Sequence, residues 1–232
     1  MRPRAVLFDL FGTLVHFSPE GYRRVLAEVA QVLTAPPFEF AQLWDAVRAQ
    51  RETTMAGTLE EGLHYVLRTL GVYTHLDQFR RAVDLLHEAD TRIEPYPDAL
   101  SALRDLRRRG LKAAVVANAV ATTARQWPAS ELAAQVDAAV FSCEAGARQP
   151  DARIYAAACD RLGVPACDCL YVGGSASPGI AGAEAAGMHP IVLVREDSEE
   201  ARPSRGHDWP GPRVRSLAEL AMLVGPGIGR RR

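Results

Sequence analysis

The sequence predicts an α/β protein, a parallel sheet with helices on both faces and a helical segment inserted after the first strand. Three observations predict it. Short apolar runs rich in strand formers recur along the chain, as in "AVLFDL" (5–10), "KAAVVA" (112–117) and "CLYVGG" (169–174); their continuity suits strands buried on both faces. Between them lie stretches with apolar residues at helical spacing, opened by capping residues and closed by glycine. From about Ser18 to Thr91 the texture is helical throughout, with no strand-like run.

Each element follows in turn. "AVLFDL" is the first strand. Within 18–91, Val25, Val29, Val32 and Leu33 recur at helical spacing, Pro36 and Pro37 break the first helix, and Gly57 and Gly71 punctuate later ones, which gives about four helices. After "EPYP" (94–97), Asp98 is placed to cap a helix carrying Leu100, Leu103 and Leu106, which Gly110 ends. "KAAVVA" is the next strand, a poorly defined helical stretch covers about 121–136, and "AAVFS" (138–142) is a strand again. Asp151 is placed to cap a helix carrying Ile154, Tyr155, Ala158 and Leu162, closed by Gly163. "CLYVGG" is a strand, Ser177 and Pro178 start a helix that Gly187 ends, and "HPIVLV" (189–194) is a fifth strand. Such alternation implies right-handed crossovers and a Rossmann-like sheet. The expected division is an α/β core of residues 1–17 and 92–232 and a helical cap of residues 18–91. Sites in such sheets lie at the carboxyl ends of the strands, which points at Asp9, Ala117–Asn118, the loop 142–151 and Gly173–Ser175.

Composition narrows the function. The 232 residues include 27 Lys plus Arg and 28 Asp plus Glu, a formal net charge of −1, which gives no electrostatic case for a nucleic-acid or membrane-surface partner. No stretch approaches the roughly 18 apolar residues of a membrane span. The opening "MRPRAVLFDLFGTLV" has basic and apolar residues, but Asp9 interrupts the run and no small-residue cleavage site follows, so it reads as a first strand and not a signal peptide. Cys143, Cys159, Cys167 and Cys169 include one C-x-C pair with no second pair at zinc spacing, as expected of reduced cysteines in a cytoplasmic protein.

The motifs carry a resemblance. "FDLFGTLV", "VVANAV", "GARQPDARIYAAACDRLGV" and "YVGGSASPGIAGAEAAGMHPIVLV" resemble, in order and spacing, the four motifs of the haloacid dehalogenase-like (HAD) superfamily, with 18–91 standing where that family carries a small helical cap. The resemblance implies that Asp9 holds the position of the nucleophile, which attacks phosphorus or carbon to form a covalent ester. It also implies that several partners of that nucleophile are replaced. Phe11 stands for the acid of the phosphatases, Ala117 for the hydroxyl of the second motif, and Gln149 for the lysine of the third. In the fourth motif Gly173-Gly174-Ser175 replaces Gly-Asp-Ser, and Gly179 replaces the later aspartate. Gly174 and Gly179 have no side chains to offer a hard cation that wants carboxylate oxygens, so Mg²⁺ binding is expected to be lost, with no metal site and no cofactor.

Three readings remain open. The chain is a binding or regulatory pseudoenzyme with a small-molecule ligand in the cap–core cleft, or a metal-independent, dehalogenase-like hydrolase that uses Asp9, or an interaction protein whose cap surface meets a protein partner or a second copy. Phe11 does not decide among them, because the family's dehalogenases also carry an aromatic there. Gly12 suits a turn with close packing or positive φ, Thr13 is expected to cap or bond locally, and the Asn118 amide to hold the loop of Asp9, with a ligand as the rival. Arg148, beside Gln149, is expected on the surface, with replacement of the lost lysine charge as the rival; Arg23, Arg24, Arg48 and Arg51 are expected to be solvated. Asp9 itself is expected to be partly desolvated, without the metal and lysine that usually compensate it, and to cap the turn "DLFGT" by accepting backbone N–H bonds.

Overall fold

A computed structural model describes residues 3–174, 177–195 and 209–224. Six strands form one parallel sheet in the order β3-β2-β1-β4-β5-β6: β1 (Ala5–Phe8), β2 (Lys112–Ala117), β3 (Ala138–Phe141), β4 (Cys169–Gly173), β5 (His189–Leu193) and β6 (Arg213–Val214). The chain builds outward from β1 through β2 to β3, then returns to add β4 on the other side of β1. Phe8 is therefore paired with Val115 on one side and Val172 on the other. The residue after it, Asp9, leaves the sheet at the point where the strand order reverses, where α/β sheets open a crevice.

Both faces of the sheet are covered. On one, Val6, Phe8, Val115 and Val172 pack with Leu103 and Leu106 of α5 (Ala99–Arg108) and with Leu217 and Leu220 of α10 (Leu217–Leu223). On the other, Leu7, Ala114, Val116 and Tyr171 pack with Ile154, Tyr155 and Leu162 of α8 (Ala152–Leu162) and with Ile180 and Ala183 of α9 (Gly179–Ala185). Alternate residues of each central strand feed opposite faces, which is why these strands read as unbroken apolar runs.

Between β1 and α5 stand four helices: α1 (Pro19–Val32), α2 (Pro37–Arg51), α3 (Leu59–Leu70) and α4 (Leu76–Thr91). They close around a core of their own, with Val29, Leu33, Phe40, Trp44, Leu63, Val66 and Leu86 in one apolar cluster. Ser18 accepts from Gly21 N to cap α1, Thr58 and Glu61 form a capping box on α3, and Gly71 ends α3 at φ +67°.

The structure departs from the sequence reading in four places. The stretch 121–136 resolves into α6 (Ala121–Gln126) and two single 3₁₀ turns, Trp127–Ala129 and Ala133–Gln135, and the loop 142–151 opens with a short helix, α7 (Ser142–Ala145). The chain also adds β6 and α10 after the fifth strand; a two-residue strand has no period to read. Asp98 precedes α5 without capping it. Its carboxylate instead accepts from Arg195 Nη2 (3.1 Å) and from Leu217 N at the start of α10 (3.0 Å). Asp151 does cap α8, accepting from Arg153 N at 2.9 Å.

Candidate functional site

Asp9 is the natural starting point. Its amide donates to Val172 O (2.8 Å), which fixes it between the ends of β1 and β4, and 8% of its surface is exposed. One carboxylate oxygen accepts from Leu10 N (2.8 Å) and the other from Ser177 Oγ (2.6 Å). Ser177 also accepts from Gly179 N (3.1 Å). The bond from the turn amide is the one the sequence leads one to expect. The hydroxyl from the start of α9 is a further partner, where the sequence signalled only a helix beginning.

The next residues shape the turn. Gly12 takes φ +72°, a conformation that glycine adopts without strain. Phe11 is half-buried, with its ring 5.8 Å from that of Phe17. Thr13 is fully buried; its carbonyl accepts from Arg195 (2.7 Å), while its hydroxyl has no hydrogen-bond partner among the described residues, against the expectation of a local bond. At the end of β2, Ala117 is fully buried. Asn118 clamps the third-motif loop through both amide atoms: Oδ1 accepts from Gln149 N (2.8 Å) and Nδ2 donates to Gln149 O (3.3 Å). Gln149 turns its side-chain amide inward to Val116 O (2.7 Å). Ser142 ties the second-motif loop, accepting from Ala119 N at 3.0 Å. Ser175 lies outside the described residues.

Two tyrosines missed at the sequence level close the floor of the site. Tyr155, on α8, donates to Gly179 O (3.1 Å) and meets the Tyr171 ring edge to face at 5.7 Å. Tyr171, on β4, is fully buried. Its hydroxyl lies beside Ser177 and Gln149, yet no hydrogen bond of standard geometry forms among the described residues. Burial first, and the nearby Asp9 carboxylate second, raise the pKa of both phenols, so both stay protonated. A β-carbon built on Gly179 would stand 1.9 Å from the Tyr171 hydroxyl oxygen and 3.0 Å from Gln149 Oε1. Only glycine fits there. Their helical and strand periodicity marked these tyrosines as core, and no sequence signal separated them from ordinary core residues.

This packing bears directly on Mg²⁺. A site of the resembled kind takes carboxylate oxygens from the fourth motif. The direction in which a side chain at 179 would point is filled by phenol, so the residues present do not fit the ion. Among the described residues no group of three or more His, Cys, Asp or Glu side chains is placed to hold a metal.

Above Asp9, a cleft of about 370 Å³ opens between the helical unit and the sheet. It is lined by Phe11, Asn118 and Arg148 from below and by Phe17, Tyr22, Arg48 and Glu52 from above, among others. Asp9, Thr13, Ala117 and Gln149 lie buried outside that lining. Three arginines of this region are paired with carboxylates. Arg148 reaches Glu52 (2.8 Å), Glu52 also holds Arg48 (3.1 Å), and Arg51 is buried against Asp90 (3.3 Å). The expected solvation of Arg48 and Arg51 is therefore corrected, while Arg23 and Arg24 are exposed. Arg148 is partly exposed but tied across the cleft. Burial works against the charge of Arg48, but Tyr22, Asp90 and Glu52 together raise its pKa; burial raises that of Asp90, opposed by Arg48 and Arg51. A larger cavity of about 560 Å³ lies between the loop after α2, α4 and α6, and none of the candidate site residues lines it.

A model of the haloacid dehalogenase-like hydrolase family matches residues 3–187. The chain belongs to this family. Among its relatives, (S)-2-haloacid dehalogenase 1 of Pseudomonas sp. (strain CBS-3) is 25% identical over 230 residues, 95% of this chain and 96% of the relative. Phosphatase MT3486 of Mycobacterium tuberculosis (strain CDC 1551 / Oshkosh) is 30% identical over 195 residues, 82% of this chain and 87% of the relative. A crystal structure of a dehalogenase superposes with a TM-score of 0.66 at 26% identity, over 95% of this chain and 96% of the other. The family therefore spans two chemistries on one scaffold, and the residues of this chain's site must decide what it does.

Proposed function

We propose that this member of the haloacid dehalogenase-like hydrolases is a binding or regulatory protein without Mg²⁺-dependent phosphatase activity, taking a small ligand in the cleft between its helical unit and its sheet. The observation that carries this reading is the Tyr171 hydroxyl seated against Gly179, which leaves no room for a metal-binding carboxylate. The inward-turned Gln149 and the buried methyl of Ala117 support it, since phosphoryl transfer relies on cations and donors placed around the developing charge. A cytoplasmic location, and a protein partner or second copy on the helical surface, belong to the same proposal.

A second reading keeps Asp9 at work as the nucleophile of a metal-independent hydrolase. It is favoured by the retained carboxylate, oriented by Ser177 and Leu10, and by the (S)-2-haloacid dehalogenases among the relatives. One screen separates the two: aryl phosphate with and without Mg²⁺, and 2-chloropropionate with halide release as the readout, on the parent and on Asp9→Asn. Background rates throughout are expected. Chelator-resistant halide release lost in Asp9→Asn would establish the second reading, and Mg²⁺-dependent phosphate release would overturn both. Restoring Phe11→Asp, Ala117→Ser, Gln149→Lys, Gly174→Asp and Gly179→Asp together is expected to fail unless Tyr171 is also made small.

A further inference from the structure

Glu52 is an unusual residue for its place. It stands at the carboxyl end of α2, where the helix dipole disfavours an anion, and it is 6% exposed. Two guanidinium groups hold it there. Its Oε1 accepts from Arg48 Nε of the same helix (3.1 Å), and its Oε2 lies 2.8 Å from Arg148 Nη2, which comes from the loop between α7 and α8. The second contact is an ion pair without hydrogen-bond geometry, and Arg148 Nε is buried with no hydrogen-bond partner among the described residues. The fork of Arg148 is thus only half used. Arginine and carboxylate pair best through two parallel bonds, one from Nε and one from a terminal nitrogen.

We propose that Glu52 is a built-in anion of the cleft: its carboxylate ties the helical unit to the sheet through Arg148 and occupies the position that the carboxylate of a small ligand would take. Such a ligand makes the bidentate pair that Glu52 does not, while Glu52 keeps Arg48 as its own partner. Its apolar part has the rings of Phe11, Phe17 and Tyr22 to lie against, with neighbouring centroids 5.8 and 6.4 Å apart. The cleft's volume suits a small molecule. Binding and release of the tie are then one event, because the ligand and Glu52 compete for the same guanidinium. The inference rests on the cleft being a ligand site.

The test uses the full chain, its Glu52→Gln and Arg148→Gln variants and the double variant, with two readouts. Phenylacetate titrated calorimetrically is expected to bind Glu52→Gln at least about tenfold more tightly than the parent, and neither variant lacking Arg148. Amide exchange at the end of α2 and in the loop between α7 and α8 is expected to quicken about tenfold in both single variants, because each removes the same tie. Equal affinity for parent and Glu52→Gln would overturn the competition. Unchanged exchange in Arg148→Gln, whose substitution at a partly exposed side chain spares the core even if Glu52→Gln fails to fold, would overturn the tie. Faster exchange with no phenylacetate binding by any variant would instead remove the cleft as a carboxylate site, leaving Glu52 as a link between the two units.

Discussion

The floor around Asp9 and the cleft above it are neighbours with opposite chemistry. The floor is filled. Tyr155 and Tyr171 pack edge to face, Gln149 turns to the backbone of β2, and Asp9 has a hydroxyl and an amide on its two oxygens. The cleft is open and charged, with Arg48 and Arg148 held against Glu52 and with Arg48 also reaching the buried Arg51–Asp90 pair outside the lining. Carboxylates are absent from the fourth-motif positions that would serve a metal, and the buried charge of this region lies instead where the helical unit meets the sheet. A filled floor tolerates little new volume, whereas a charged cleft tolerates little change of charge. The two regions can therefore be separated by the kind of substitution that damages each.

The largest effect is expected from the buried charge beside the cleft. Arg51→Met leaves Asp90 buried with only the more distant Arg48 (3.8 Å), and a broken buried pair costs about 3 kcal/mol. Denaturant titration measures it. The penalty should shrink in acid, because burial already raises the pKa of Asp90 and, with one cation gone, the group takes up a proton instead of staying charged. A loss under about 1 kcal/mol would mean that this pair is wetter than its geometry implies.

Volume in the floor comes next. Gly179→Ala is expected to cost about 2 kcal/mol through overpacking against Tyr171. Tyr171→Phe removes the oxygen that lies nearest and is expected to cost under about 1 kcal/mol by itself, since the buried hydroxyl forms no hydrogen bond of standard geometry among the described residues. The double variant should then recover about 1 kcal/mol of the alanine penalty. Full additivity in a double-mutant cycle would show that Tyr171 is not what keeps position 179 a glycine.

Removing charge from the floor should do less. Asp9→Asn is expected to lose about 1–2 kcal/mol at pH 7, because the hydrogen bond from Ser177 to an ionised oxygen is weakened. A neutral or stabilising result would restore the account of Asp9 as a costly relic.

The smallest effect lies outside both regions and calibrates them. Arg153 holds the carboxyl of Asp151 down at about 2, against an ordinary 3.8. A depressed folded-state pKa contributes stability that is present above pH 3.8 and lost as pH falls toward 2. Asp151→Asn should therefore differ from the parent slightly at neutral pH, and the difference should fade through that window. A difference that persists at pH 2 would assign the effect to the helix cap alone.

The sequence by itself determined the first five strands, the helices α1–α5, α8 and α9, and their order. Strand runs, helical spacing, Gly71 and Gly163 at helix ends and the cap at Asp151 are local, since each depends on residues within a turn or two of chain. The four motifs placed Asp9 and Asn118 at strand ends, Gln149 in the loop after β3 and Gly179 near the start of α9 for the same reason. Only the tertiary structure decided what those residues touch. Ser177 meets Asp9 across 168 residues, Arg148 meets Glu52 from a different structural unit, and Asp98 serves α10 and not the helix it precedes. Tyr155 and Tyr171 carried the same apolar signature as any core residue, and only packing turned their hydroxyls toward the floor of the site. Periodicity reports which face of an element is buried; the partner met there is fixed by how distant elements fill space together.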